Sequence, residues 1–175
     1  MVLEVKVNVF VRDVKEKGNT GEYEGKFHFQ QVLPLKPTIV HKNGTVNLKK
    51  AGVTEEVAIT YVWCSPAVEL DGELVPTRLA EPAGNSFWVL PNDAKPGPSH
   101  GAKSSGEVIT VTGGATIDDL VMHDTNAIGK HFTYCYAVKL GIVGEPWLVC
   151  DPKIINTGST RTLYSYRPDS RDAAA

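Results

Sequence analysis

Apolar and polar residues alternate with a period of two along most of this chain. Leu3, Val5, Val7, Val9 and Val11 alternate with Glu4, Lys6, Asn8 and Phe10, the pattern of a half-buried strand. Residues 12–23 are charged and contain glycine, and read as a loop. Residues 26–32 predict a second strand, with Phe27 and Phe29 on one face and His28 and Gln30 on the other. Pro34 and Pro37 should end its pairing, because proline has no N–H to donate. Residues 38–41 and 45–48 flank Lys42-Asn43-Gly44, and an Asn-Gly step between β-type runs predicts a hairpin. Residues 56–63 are the clearest central strand. Val57, Ile59, Tyr61 and Trp63 point one way and Ala58, Thr60 and Val62 the other. Both rows are rather apolar, which predicts a strand covered on both faces.

The second half continues the pattern. Asp71-Gly72 marks a turn, residues 86–90 a short aromatic strand, and the proline- and glycine-rich stretch 91–106 a long surface loop. Residues 107–112 read as a strand stopped by Gly113-Gly114. Residues 117–123 fit either a strand or a short helical turn. Residues 130–140 alternate again, with Phe132, Tyr134, Tyr136 and Val138 against Thr133, Cys135 and Ala137. A turn at 141–144 leads to a strand at 147–150, then Asp151-Pro152 and Ile154-Ile155. No window carries a sustained helical stripe and no repeat is visible. Many short strands with few helix signals predict an all-β chain, an antiparallel Greek-key β-sandwich of cupredoxin-like or immunoglobulin-like type. One domain should span 1–160, followed by a polar tail, 161–175, that is loose unless a partner holds it.

Composition narrows the function. The 175 residues include 18 basic and 20 acidic side chains, so no strong field favours nucleic acid or an anionic membrane. The amino terminus lacks a secretory h-region, and no stretch is apolar for the ~18 residues a membrane helix needs. A cytoplasmic protein is expected. Cys64, Cys135 and Cys150 are odd in number and widely spaced, as free buried thiols would be. A Cys135–Cys150 disulfide requires that their strands pair and the chain be secreted. Asn43-Gly44-Thr45 is a glycosylation sequon that reads more simply as a turn.

Catalytic patterns are incomplete. Gly97-Pro98-Ser99-His100-Gly101-Ala102-Lys103-Ser104 departs from a phosphate loop, because Ala102 stands where glycine must precede the lysine and a strand follows instead of a helix. His123, Asp124 and His131 are close enough in sequence to meet across a turn and would suit zinc or non-haem iron. No short-spaced histidine pair supports them, and solvated histidines are the plainer reading. No nucleophile elbow is present. A metal-dependent enzyme using those three residues therefore ranks below non-catalytic readings, and no cofactor is expected. Among the aromatics, Trp63 reads as core. Trp88, beside Asn92 and Asp93 at the edge of the long loop, is the candidate platform for a carbohydrate or small ligand.

Three segments carry a resemblance. Gly129-Lys130-His131-Phe132-Thr133-Tyr134-Cys135-Tyr136 resembles the cupredoxin strand that bears the copper-binding cysteine. The histidine and methionine that follow it in copper proteins are replaced by Ala137, Val138, Lys139 and Leu140, so copper is rejected. Trp147-Leu148-Val149-Cys150-Asp151-Pro152-Lys153-Ile154-Ile155 is similar to the ending of PixA/AidA-type inclusion-body proteins, and residues 57–63 resemble their central strand. The resemblance covers about a third of the chain, and residues 65–106 do not align. It implies an abundant, non-enzymatic bacterial protein of the cytoplasm. The leading expectation is a structural or interaction protein that forms homo-oligomers through sheet edges. The alternatives are a ligand-binding module and a viral or phage jelly-roll subunit.

Overall fold

The computed structural model describes residues 1–91, 95–98, 108–127 and 129–157. They form an all-β sandwich. One sheet has the order β2-β1-β4-β9-β8, from β1 (Val2–Glu16), β2 (Tyr23–Leu33), β4 (Glu56–Trp63), β8 (Ile109–Gly113) and β9 (Asp119–Asp124). The other is built on β10 (His131–Leu140). It runs β3-β12-β10-β6-β5, from β3 (Val46–Asn47), β5 (Ala67–Leu70), β6 (Glu73–Arg78) and β12 (Lys153–Ile155), with β7 (Phe87–Pro91) and β11 (Trp147–Cys150) also paired to β10.

The predicted strands form, with informative differences. Both sheets are mixed, because β1 runs parallel to β4 and β3 parallel to β12, where an antiparallel arrangement was expected. Alternation identifies a strand and its faces but carries no sign of its direction. Half of the expected loop at 12–23 is strand, the end of a long hairpin whose turn lies between Glu16 and Tyr23. On β1 a bulge at Asp13 (φ 55°) and Val14 admits one extra residue, and β2 stays regular opposite it. The charges that suggested a loop pair across the hairpin, Lys15 with Glu24 at 3.2 Å and Lys26 with Asp13 at 2.9 Å. Residues 117–123 resolve to strand β9.

The Asn43-Gly44 turn forms, but the strand expected at 38–41 is reduced to an isolated bridge from Val40 to Val46, and the strand after the turn is only β3. Leu48 opens a single helical turn, α1 (Leu48–Ala51), capped by Asn47, whose Oδ1 accepts from the Lys50 N–H at 2.9 Å. Asp71 (φ 52°) and Gly72 (φ 81°) make the two-residue turn between β5 and β6. In β4 the inner row is buried as read, while Thr60 and Val62 on the outer row are only half-buried. Ala58 is hidden because it is small and lies between Glu4 and His123 in the ladders. The strand with both faces buried is β10. Its outer row, Cys135 and Ala137, packs with Trp88 and Trp147 into a second small cluster.

The core between the sheets centres on aromatic rings. Tyr61 lies within 6.2 Å of Phe29, Phe87, Tyr134 and Tyr136, centroid to centroid, and Phe87 stacks on Tyr134 at 4.8 Å. A hydroxyl chain runs through it. Tyr61 Oη donates to Tyr134 Oη at 3.5 Å, and Tyr134 Oη donates to the Gly44 carbonyl at 2.5 Å. The Tyr136 hydroxyl, equally buried, has no hydrogen-bond partner among the described residues. Tyr134→Phe should cost about 1–3 kcal/mol, since it strands the Gly44 carbonyl and the Tyr61 hydroxyl. Tyr136→Phe should be neutral or stabilising, since it removes a polar atom that already lacks a partner. Urea denaturation of the two variants checks the contrast, and an equal loss in both would refute it.

Candidate functional site

A cleft of about 890 Å³ opens between β2 and residues 35–50. Its inner wall is the β2 stretch from His28 to Gln31, and its outer wall is the returning chain with Thr38, His41, Lys42, Asn43 and Thr45; Asn47 and Lys50 close one end. The prolines at 34 and 37 end β2 and the chain folds back on itself. Gln31 holds the fold-back through both ends of its amide. Oε1 accepts from the Ile39 and Val40 N–H groups at 2.8 and 3.0 Å, and Nε2 donates to the Pro34 and Pro37 carbonyls at 2.5 and 2.9 Å. The Phe29 N–H donates across the cleft floor to the Lys42 carbonyl at 3.0 Å.

The tip of the outer wall is equally fixed. The Gly44 N–H donates to the His41 carbonyl at 2.8 Å, and Asn43 Oδ1 accepts from the Thr45 N–H at 3.0 Å. Gly44 has φ 86°, and a β-carbon there would sit 2.7 Å from both the Phe29 ring and Pro152. Only glycine satisfies the backbone and the space together. The sequon at Asn43 is thus the turn the sequence suggested. Gly44→Ala should destabilise the protein by about 3 kcal/mol, from left-handed strain plus overpacking. A fall in the thermal midpoint checks it, and a neutral substitution would contradict this account of the cleft wall.

The residues singled out in the sequence lie elsewhere and are not brought together. Trp88 is 4% exposed, its ring edge-on to Trp147 at 5.3 Å, so it presents no face to a ligand. Buried Gly97 lies against this cluster: a β-carbon there would come within 3.8 Å of Cys135 Sγ. Asn92, Asp93 and most of the phosphate-loop-like stretch fall outside the described residues. His123 and Asp124 are consecutive on β9 and so face opposite ways, His123 exposed and Asp124 buried; His131 is exposed at the start of β10 in the other sheet. Among the described residues no three His, Cys, Asp or Glu side chains gather as metal ligands.

The cysteines are free thiols. The strands of Cys135 and Cys150 do pair, but Cys150 stands opposite Tyr136, one residue on, so the thiols face opposite sides of the sheet. Cys150 joins the main core and Cys135 the outer cluster. Burial pushes the Cys150 thiol up to about 12 and raises Cys135 further, helped by Asp151; burial also raises Cys64.

Asp124, which the sequence offered only as a weak metal-ligand candidate, anchors a polar knot. Its Oδ1 accepts from the Asn126 N–H at 2.7 Å and from Asn156 Nδ2 at 2.9 Å. Asn126 Nδ2 reaches the Val53 and Glu55 carbonyls at 3.0 and 3.1 Å, and Asn126 Oδ1 accepts from the Thr157 N–H at 2.8 Å. The knot ties three chain segments at one end of the sandwich. Burial raises the Asp124 carboxyl to about 7 against the pull of the Asn126 and Asn156 hydrogen bonds. Because its folded value lies above the unfolded one, the folded protein holds the extra proton between about pH 4 and pH 7. That stabilisation is full below pH 4 and lost as pH rises through 7. Asp124→Asn keeps the acceptor and removes the proton, so it should raise the thermal midpoint at pH 8 and change it little at pH 5. Thermal melts of both proteins across pH check the sign; a larger gain at pH 5 would reverse it.

No family model matches the chain, and no curated protein matches it. Among solved structures it is similar to the crystal structure of an inclusion body protein (PixA) from Burkholderia cenocepacia J2315. That match has 7% identity and a TM-score of 0.37, and covers 89% of this chain and 97% of that one. The resemblance is weak. No helix among the described residues is long and apolar enough to cross a membrane.

Proposed function

We propose that this chain is a non-catalytic interaction protein that associates with copies of itself through the open edge of β2. The observation that carries this reading is the outward edge of that strand. Phe29 is anchored to Lys42, but among the described residues no backbone group of residues 23–27 pairs on the side away from β1. An open, regular edge is a template for another strand. The bulge on β1 leaves β2 straight through this stretch, and its two charges already lie beside partners within the hairpin, Glu24 by Lys15 and Lys26 by Asp13.

Antiparallel pairing of two β2 edges about Gly25 sets Glu24 of one copy opposite Lys26 of the second, twice by symmetry. Each such cross-strand pair contributes about 0.2–1 kcal/mol. The non-catalytic part of the reading is supported by the thiols, which burial holds protonated, and by Asp124, whose partners are amides rather than a nucleophile. Free thiols also fit a reducing cytoplasm.

Sedimentation velocity across a wide concentration range tests the proposal. The expected result is a concentration-dependent dimer. Lys26→Glu sets like charges face to face and should weaken it about tenfold. The double exchange Glu24→Lys with Lys26→Glu should restore it. A wild-type chain that stays monomeric at high concentration, or a double exchange no better than the single, would overturn the reading.

A further inference from the structure

The cleft between β2 and residues 35–50 has a one-sided chemistry. Four of its lining side chains are Lys or His and none is Asp or Glu, although acidic residues outnumber Lys and Arg in the chain, 20 to 18. Its two asparagines sharpen the asymmetry. Asn43 Oδ1 is taken up by the Thr45 N–H, and Asn47 Oδ1 by the Lys50 N–H. A backbone N–H can be served only by the amide oxygen, so the orientation of each amide is set and, among the described residues, each Nδ2 keeps its donors unspent. Gln31, by contrast, spends both ends of its amide on the fold-back. The cleft is therefore rich in free donors and cations and poor in acceptors. Leu35 and Val40 line it on the apolar side. Its walls are held by Gln31 and Gly44 without a ligand, and such preorganisation lowers the cost of binding. A volume of about 890 Å³ lies within the range of small-molecule sites.

We propose that this cleft binds a small organic anion, one whose carboxylate or phosphate group is held by Lys42, Lys50 and the free amide donors of Asn43 and Asn47. The site does not depend on self-association, since the open edge lies at residues 23–27 and the cleft begins at His28.

The test is titration of the protein, followed by amide chemical shifts, with citrate and glucose 6-phosphate as the carboxylate and phosphate arms. Glucose and putrescine serve as neutral and cationic controls. At least one anion should shift cleft residues saturably, with the stronger arm telling carboxylate from phosphate, and the controls should not. Lys42→Glu with Lys50→Glu should weaken binding at least about tenfold, while Lys49→Glu, on the same helical turn but outside the cleft, should leave it within about twofold. Asn43→Asp with Asn47→Asp keeps both backbone caps but replaces the free donors with carboxylate oxygens. It should abolish binding with the thermal midpoint preserved. The proposal is overturned if neither anion shifts the cleft at millimolar concentration. It is overturned too if glucose matches glucose 6-phosphate, or if Lys49→Glu costs as much as the cleft substitutions.

Discussion

The hydroxyl chain from Tyr61 through Tyr134 to the Gly44 carbonyl is the interaction on which the rest of the structure turns. Tyr61 belongs to β4 in one sheet and Tyr134 to β10 in the other, so the two layers are tied by direction as well as by apolar area. Aromatic burial supplies most of the driving force but is indifferent to small slides of one sheet over the other. A buried hydrogen bond is not, because its loss leaves desolvated polar atoms unpaired. Its last member is a turn carbonyl, so the register between the sheets also sets the position of the Asn43-Gly44 tip. The cleft wall thereby inherits the rigidity of the core, although its own residues are largely exposed.

The cleft and the open strand edge have one origin. β2 is paired to β1 on one side, and the chain then meets two prolines within four residues. They cannot continue a ladder, and the fold-back that follows rejoins β2 by a single backbone bond, Phe29 to Lys42, with Gln31 replacing further ladder bonds by side-chain ones. A side-chain bridge spaces the chain away from the strand where a ladder would close the gap, and the space left is the cleft. Toward Tyr23 the fold-back does not reach, so the edge stays open.

Where each strand lies, and which side of it is buried, was largely legible in the sequence, because burial against one layer imposes the two-residue period directly. Residues 56–63 and the aromatic row of β10 were read from that alone. Direction was not legible: the parallel pairing of β1 with β4 depends on the path between them, which alternation does not encode. The hairpin arm at 12–16 was hidden because its charges pair with each other across the ladder, and single-sequence reading sees charge without its partner. The candidate site was missed for a related reason. Sequence reading sought chemistry in Trp88 and in the histidines near 123, where residue types are conspicuous. The cleft is instead made of ordinary Lys, Asn and Gln residues, whose significance lies in which amide ends are already spent. The Asn-Gly turn was the one available signal, and it marked the wall without marking the cavity.

The polar knot at Asp124 shows how an ionisable group in a core can serve the structure. Among the described residues, the ionised form would leave two buried acceptors without donors, Asp124 Oδ2 and Asn156 Oδ1. Protonation turns one of those acceptors into a donor and removes the buried charge, so two separate costs fall together. The two hydrogen bonds to Oδ1 pull the other way, and the balance leaves the carboxyl far above an exposed one. A hydrophobic residue in its place could seal the same end of the sandwich. It could not accept from Asn126 and Asn156 at once; the bond from Asn156 joins the chain after β12 to the end of β9, where Asn126 in turn donates to the segment that enters β4. The carboxyl is therefore kept for its two lone-pair directions, and its raised protonation follows from burial in that geometry.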